Sequence, residues 1–250
     1  MPVYFASDVH LGGGDLPEAR LVERRFLAWL DAVAPDAEAI CLVGDIFDFW
    51  FEYRRVVPKG FVRVLGKLAD LSDRGVRVIF FPGNHDMWTG DYFARECGFE
   101  VQRAPQVLTF CGQRIFIAHG DNLNIRRQPM LKLLNHIFRS RALRWFFSRV
   151  VHPDSFLRFG QWWSGRSRKA HRRGGSPDIA WTEPLIAFAR SFLAAHPDSP
   201  VDHFVFGHMH VARDFRDGAL HTLHLGCWES APTYAVLDSD GSLTLKSFEP

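Results

Sequence analysis

Short apolar runs and longer amphipathic stretches alternate along the first half of the chain. The short runs have the length and the β-branched and aromatic content of strands, and we predict strands at 3–6, 39–43, 76–81, 106–110 and 114–118. We predict helices at about 18–33, 60–73 and 91–97. In the two longer helices the apolar residues recur at helical spacing, so each should pack one face onto a sheet. The pattern is that of an α/β domain.

After Asn122 the pattern changes to helical segments rich in Arg, Trp and Phe, which run to about Arg173 and end at a Gly-Gly-Ser-Pro sequence at 174–177. We interpret residues 122–175 as a helical insertion, or cap, within a single domain that spans residues 1–250. A helix at about 180–195 should follow. We then predict strands at 202–206, 220–225, 233–238 and 243–248, the last two joined by a hairpin turn at Asp240 and Gly241.

Charge divides the chain into two unequal parts. Residues 122–175 hold 13 of the 30 Lys and Arg residues and one of the 28 acidic residues, so the segment carries +12 and the remainder −10. Such a basic, aromatic block attached to an acidic body indicates a partner with negative charge, either phosphate groups or a lipid surface.

Other features narrow the class of protein. The four cysteines are far apart and form no CxxC pair, which favours free thiols in a reducing cytoplasm. The chain opens directly on a strand pattern, so we expect no secretory signal. No apolar stretch approaches the roughly 18 residues that a membrane-spanning helix needs.

Chemically active residues follow five of the predicted strands at the point where each strand ends. They lie in the motifs Asp8-Val-His10, Gly44-Asp45-Ile-Phe-Asp48, Gly83-Asn84-His85-Asp86, His119-Gly120-Asp121 and Gly207-His208-Met-His210. An α/β fold collects such loops along the carboxyl edge of its sheet. Carboxylate and amide oxygens favour Mg²⁺ or Mn²⁺, while imidazoles favour Mn²⁺, Fe²⁺ or Zn²⁺. The mixed set therefore indicates a site for two divalent cations.

In this order the five motifs resemble those of the calcineurin-like metallophosphoesterase superfamily. The resemblance implies a sandwich of two mixed β-sheets flanked by helices, with the helical insertion added to it. It also implies that Asp45 bridges two cations, most simply Mn²⁺. Asp8, His10 and His210 would complete one cation site, and Asn84, His119 and His208 the other.

His85 and Asp48 are the predicted catalytic residues. His85 follows Asn84 directly and would donate a proton or contact the transition state. The resemblance implies that Asp48 orients the ring of His85. A histidine that merely fills a turn is the alternative interpretation.

The insertion should decide which phosphoester is hydrolysed. Its aromatic residues and interleaved arginines predict contact with acyl chains and anionic headgroups at a membrane surface. Most of the chain resembles the UDP-2,3-diacylglucosamine pyrophosphatases, peripheral membrane enzymes of lipid A synthesis that release UMP and 2,3-diacylglucosamine 1-phosphate. This resemblance implies a lipid-linked nucleotide-sugar substrate and a place on the inner face of the cytoplasmic membrane. A helical hairpin with solvated arginines is the alternative.

The chain departs from these pyrophosphatases at substrate-binding positions. Many of them have Arg where this chain has His85, and their Arg-x-x-Ser-x-x-x-Asn-x-x-Lys motif keeps only its serine here, as Ser167. Neighbouring Arg and Lys side chains would supply the lost positive charge. The predicted substrate-binding residues are Asn84, Asp121, Arg166, Ser167, Arg168, Lys169, His171 and His208.

Two other functions fit the same motifs. One is a metallophosphoesterase for another lipid pyrophosphate or for nucleotides, because the basic segment attracts any polyphosphate; we expect no nucleic-acid partner, since nothing in the sequence is suited to reading bases. The other is a non-catalytic protein that binds a membrane surface and uses the metals only for stability. We expect no obligate protein partner in any of these cases.

Overall fold

The fold is described from a computed structural model that covers residues 1–123, 140–173 and 178–249. Within these ranges the side chains of residues 141 and 166–173 are not described. Most of the predicted strands and helices are present, with ends that differ by a few residues.

Two mixed sheets packed face to face form the body of the protein. The first has the strand order β11-β10-β1-β2-β3-β4, and the second has the order β5-β6-β7-β9-β8. The strands of the first sheet are β1 (Val3–Ala6), β2 (Ala39–Val43), β3 (Arg77–Phe81), β4 (Glu100–Val101), β10 (Thr233–Leu237) and β11 (Leu243–Ser247). Those of the second are β5 (Gln106–Phe110), β6 (Gln113–Ala118), β7 (His203–Phe206), β8 (Ala212–Asp217) and β9 (Leu220–Leu225). Buried residues of both sheets, including Phe5, Ile79, Ile117 and Leu223, form one apolar layer between them. The predicted α/β sandwich is confirmed.

Helices cover the outer faces of both sheets. Three helices, α1 (Leu16–Val33), α2 (Val62–Asp73) and α3 (Tyr92–Glu96), cover the first sheet. The side chain of Asp15 caps α1 by accepting a hydrogen bond from the Glu18 amide at 3.0 Å. Helix α6 (Glu183–Ala195), which follows a 3₁₀ turn at Ile179–Thr182, packs Leu185, Ile186 and Ala189 against the second sheet.

Two helices of the proposed insertion lie within the described residues, α4 (Arg141–Val150) and α5 (Pro153–Arg173). Phe156 of α5 is buried against Phe51, Tyr53 and Trp88 of the body. Residues 124–139 and 174–177 of this segment lie outside the described residues, so the cap at 122–175 stays a proposal. None of the helices in the described ranges is long and apolar enough to span a bilayer.

Parallel pairing determines where the motif loops meet. In the first sheet β1, β2 and β3 run parallel, and in the second β6 and β7 do. Their carboxyl ends therefore lie at one edge of each sheet, and the two edges face each other. The five motifs follow these five strands.

Candidate active site

The five loops bring their polar side chains together in three groups, each of which could hold a metal ion. Within each group the potential ligand atoms lie within 4.8 Å of one another. The groups are Asp8, His10 and His210; His10, Asp45 and His85; and Asp45, His119 and His208. Since His10 and Asp45 each belong to two groups, the three form one continuous cluster.

The backbone at this cluster has an unusual conformation. Five of its residues have left-handed φ angles between 51° and 69°, namely Asp8, His10, Asp45, His208 and His210. Elsewhere in the described ranges Cys111 is the one other non-glycine residue with positive φ. Each such conformation costs about 1 kcal/mol or more and persists where the surroundings impose it. The strain is therefore concentrated at the predicted metal ligands.

The first group has an oxygen directed toward two imidazoles. Asp8 Oδ2 accepts hydrogen bonds from Ser7 Oγ at 2.5 Å and from the His208 amide at 2.9 Å. Its other oxygen, Oδ1, is buried with no hydrogen-bond donor and lies 3.2 Å from His210 Nε2 and 3.9 Å from His10 Nε2. The three atoms thus face a common point.

In the third group, a hydrogen bond to the outer nitrogen of His119 holds its ring in place. His119 Nδ1 donates a hydrogen bond to the main-chain oxygen of Val43 at 2.9 Å, which directs Nε2 into the site. Nε2 lies 3.2 Å from Asp45 Oδ2 and 3.3 Å from Asn84 Oδ1. A main-chain carbonyl that accepts from the outer ring nitrogen is a usual partner of a metal-bound histidine.

Asp45 lies between the first and third groups, and Asp86 joins the loops around it. Asp45 Oδ1 accepts a hydrogen bond from the His85 amide at 2.8 Å. The buried carboxylate of Asp86 accepts from the amides of Gly83 at 2.7 Å and Ile46 at 2.8 Å. A side chain at Gly83 would overlap Asp45, so glycine permits this close approach.

Comparison with known proteins agrees with this geometry. A family model described as calcineurin-like phosphoesterase matches residues 1–212. The chain belongs to the calcineurin-like phosphoesterase family. A UDP-2,3-diacylglucosamine hydrolase of Porphyromonas gingivalis is 38% identical, over 99% of this chain and 97% of its own. Hydrolases of the same name from Edwardsiella ictaluri and Neisseria meningitidis serogroup B are each 34% identical, over 58% of this chain and 57% and 62% of theirs.

As a member of this family, the chain is a hydrolase that depends on divalent metal ions. The donors in the cluster fit such ions, because they combine buried carboxylate oxygens, an amide oxygen and imidazole nitrogens. The buried Asp8 Oδ1, which lacks a hydrogen-bond donor, supports the same conclusion.

Electrostatics in the metal-free cluster favours proton uptake by two histidines. Burial opposes the charge of His119, but Asp45 outweighs it and raises the pKa of His119 to about 10. Burial likewise opposes the charge of His210, yet the neighbouring side chains of Asp8 and Cys227 raise its pKa to about 11. Burial lowers the pKa of His208 to about 4. Cations bound here would therefore displace protons.

We expected Asp48 to orient the ring of His85, and it does so through its main-chain oxygen. His85 Nδ1 donates to the main-chain oxygen of Asp48 at 2.8 Å, so the backbone of Asp48 orients the ring. His85 Nε2 faces the site, 4.0 Å from Asp45 Oδ2. The Asp48 carboxylate lies instead beside His10 Nδ1, at 3.6 Å, and Ser164 Oγ, at 2.5 Å.

The remaining predicted substrate-binding residues divide into two sets. Asp121 lies close enough to His119 and His208 for its charge to favour their protonated forms. The side chains of Arg166, Ser167, Arg168, Lys169 and His171 are outside the described part of the chain.

Two contacts of the site were missed by the sequence analysis. Ser7 supports Asp8, and only its position beside Asp8 gave any signal of this role. Ser164 of α5 reaches Asp48 across 116 residues, and no local pattern indicates that contact.

Proposed function

We propose that the protein hydrolyses the pyrophosphate of UDP-2,3-diacylglucosamine, releasing UMP and 2,3-diacylglucosamine 1-phosphate, as a step of lipid A synthesis. The observation that carries the proposal is an apolar cleft that opens on Asn84 and His85. The relative from Porphyromonas gingivalis, which matches along nearly its whole length, supports the same substrate.

Two cations, most simply Mn²⁺, would be held by the clustered residues. Asp8, His10, Asp45 and His210 would hold one, and Asp45, Asn84, His119 and His208 the other. Cations bound in such a pair neutralise phosphate charge and lower the pKa of a bound water. The protein's contribution is to keep Asp45 between the two sets, with its orientation fixed by the His85 amide.

His85 would supply the proton for the leaving group. Its Nδ1 hydrogen is engaged with the Asp48 carbonyl, so Nε2 is the atom that can donate a proton into the site. Since many pyrophosphatases have arginine at this position, His85 would also take over the contact with substrate phosphate.

The cleft beside His85 lies between helix α5 and the body. Phe49, Met87 and Trp88 line one side, and Phe159 and Trp163 line the other. Its volume is about 70 Å³, far below the roughly 300 Å³ at the small end of ligand sites. Phe159 and Trp163 are about half exposed, so rotation of their side chains would enlarge the cleft for an acyl chain.

A membrane surface would deliver the lipid substrate. Exposed aromatic residues occur on both described helices of the insertion, including Trp145, Phe146 and Trp162. The sequence adds the charge of +12 in residues 122–175. Aromatic and basic residues together suit an anionic lipid interface. We therefore place the enzyme on the cytoplasmic side, bound peripherally to the inner membrane.

Product analysis on two substrates tests the proposal. Purified protein with Mn²⁺ is given UDP-2,3-diacylglucosamine or UDP-glucose, and UMP is measured by chromatography. We expect UMP from the lipid at a rate at least about 100-fold higher than from UDP-glucose, because only the lipid fills the apolar cleft. Equal turnover of UDP-glucose would contradict the lipid assignment and favour a general nucleotide phosphoesterase.

A variant in the cleft, with a matched control, distinguishes lipid binding from the catalytic step. Trp163→Ala removes an aromatic side of the cleft and should raise KM for the lipid while leaving turnover of a generic phosphodiester unchanged. Trp181→Ala, in the 3₁₀ turn outside the insertion, is the control and should alter neither value.

A further inference from the structure

One face of helix α5 is buried beside the active site. Phe156, Gly160 and Ser164 recur at every fourth residue and therefore lie on the same face. All three are buried, and the ring of Phe156 lies 4.8 Å from that of Phe51. Phe159 and Trp163 occupy the neighbouring face, which lines the apolar cleft. The helix thus contacts both the body and the proposed binding cleft.

Ser164 forms a hydrogen bond between this helix and the catalytic loop. Its Oγ donates to Asp48 Oδ1 at 2.5 Å, and both residues are at most 2% exposed. A hydroxyl that donates to a carboxylate forms a strong type of hydrogen bond. Both residues are buried, so replacing Ser164 would remove a hydrogen-bond donor from a buried carboxylate.

Asp48 in turn contacts two histidines of the site. Its Oδ1 lies 3.6 Å from Nδ1 of His10, a proposed metal ligand. Its main-chain oxygen accepts the hydrogen bond from Nδ1 of His85, the proposed proton donor. A displacement of Asp48 would therefore alter the orientation of both rings.

Gly160 allows the helix to approach this closely. A Cβ atom at Gly160 would overlap the ring of Phe49, the residue that follows Asp48. A side chain there would have to displace the Phe49 ring or helix α5, and we expect either shift to weaken the bond between Ser164 and Asp48. The absence of a side chain at 160 and the hydroxyl at 164 therefore support the same contact.

We propose that Ser164 is a positioning residue, which acts through Asp48 to couple the seating of helix α5 to the orientation of His10 and His85. The inference rests on the proposed function in so far as those two histidines take part in metal binding and catalysis. Because Phe159 and Trp163 of the same helix line the cleft, occupation of the cleft acts on the element that orients the catalytic residues. Turnover, and not only substrate affinity, then depends on the insertion.

A double-mutant cycle between Ser164 and Asp48 tests the proposal. We would measure kcat and KM on bis(p-nitrophenyl) phosphate with Mn²⁺, and Mn²⁺ affinity by calorimetry, for Ser164→Ala, Asp48→Asn and the double variant. Ser164→Ala should lower kcat or Mn²⁺ affinity roughly 10-fold to 100-fold, as expected for the loss of a contact that supports a metal ligand. KM should be almost unchanged. In the Asp48→Asn background it should have little further effect.

Two further variants make the test specific. Gly160→Ala keeps the hydroxyl but displaces the Phe49 ring or the helix, so it should reproduce the effect of Ser164→Ala. Ser155→Ala is the control, since Ser155 is exposed on the same helix, and it should leave kcat and Mn²⁺ affinity unchanged.

Three outcomes would overturn the inference. These are wild-type values for Ser164→Ala, a change confined to KM, or effects of the two single substitutions that multiply in the double variant. Failure of the proposed function looks different, because the wild type would then not release UMP from the lipid while the Mn²⁺ cycle could still be measured.

Discussion

The Nε2 atoms of His10 and His210 lie 3.2 Å apart, although 200 residues separate them in the sequence. Both atoms also face Asp8 Oδ1, at 3.9 and 3.2 Å. Two imidazole nitrogens and one carboxylate oxygen directed at a common point could hold a divalent cation. The carboxyl ends of β1 and β7, one from each sheet, are what bring them together.

Replacing one of these histidines should therefore remove one cation and abolish most activity. For His210→Ala we expect the Mn²⁺ content to fall from two equivalents to one. We expect kcat to fall by more than about 100-fold, because replacing a residue that only supports a metal ligand already costs up to about 100-fold. Elemental analysis and turnover of bis(p-nitrophenyl) phosphate measure both. His196→Ala, an exposed histidine after helix α6, is the control. Two full equivalents in the His210 variant would refute its assignment as a ligand.

Metal binding should release protons. In the metal-free protein the pKa values of about 10 for His119 and about 11 for His210 keep both rings protonated at pH 8. An imidazole that binds a metal must be neutral, so each ring loses its proton on binding and the apparent Mn²⁺ affinity rises with pH up to about 11. Calorimetry at pH 8 in two buffers of different ionisation enthalpy should detect about two released protons. Release of none would show that these rings are already neutral.

Most of the fold could be predicted because its buried strands have continuous apolar sequences. Strands β1, β2 and β9 occur as expected. Strand β8 (Ala212–Asp217) was missed because it lies at a sheet edge and is largely exposed, so its sequence has no apolar run. The Asp217-Gly218 turn after it was the available signal, since Gly218 has a φ of 57°. Strand β4 has only two residues, too few for any periodicity.

Asp86 should be essential for the geometry of the two loops that it joins. Asp86→Asn would place an amide NH₂ against main-chain donors of Gly83 or Ile46, and we expect a loss of about 1–3 kcal/mol in the free energy of unfolding. Denaturant unfolding of the metal-free protein measures this loss. The exposed Asp198→Asn serves as the matched control. Equal stability of the two variants would argue against a role for Asp86 in joining the loops.

Exposed aromatics of the insertion should contribute to membrane binding. Trp145 and Trp162 are each 55% exposed, on helices α4 and α5. The double variant Trp145→Ser, Trp162→Ser should bind vesicles that contain anionic phospholipid at least about tenfold more weakly, because two apolar side chains leave the interface. Co-sedimentation measures the difference. Ile179→Ser, equally exposed but outside the insertion, should bind like the wild type, and equal loss in both variants would contradict a specific surface.

The metal-binding motifs could be identified from the sequence because each is short and follows a strand. The contact between Asp48 and Ser164 could not, since it depends on how helix α5 packs, through Gly160, against Phe49. The hydrogen bond between the main-chain oxygen of Asp48 and His85 could not be predicted either, because every residue type has the same backbone carbonyl.

Diffraction at the manganese absorption edge, from crystals grown with Mn²⁺, tests the central claim most directly. We predict two anomalous peaks, one within ligand distance of Asp8, His10 and His210 and one within ligand distance of Asn84, His119 and His208, with Asp45 contacting both. A single peak, or two peaks that share no contact with Asp45, would contradict the account.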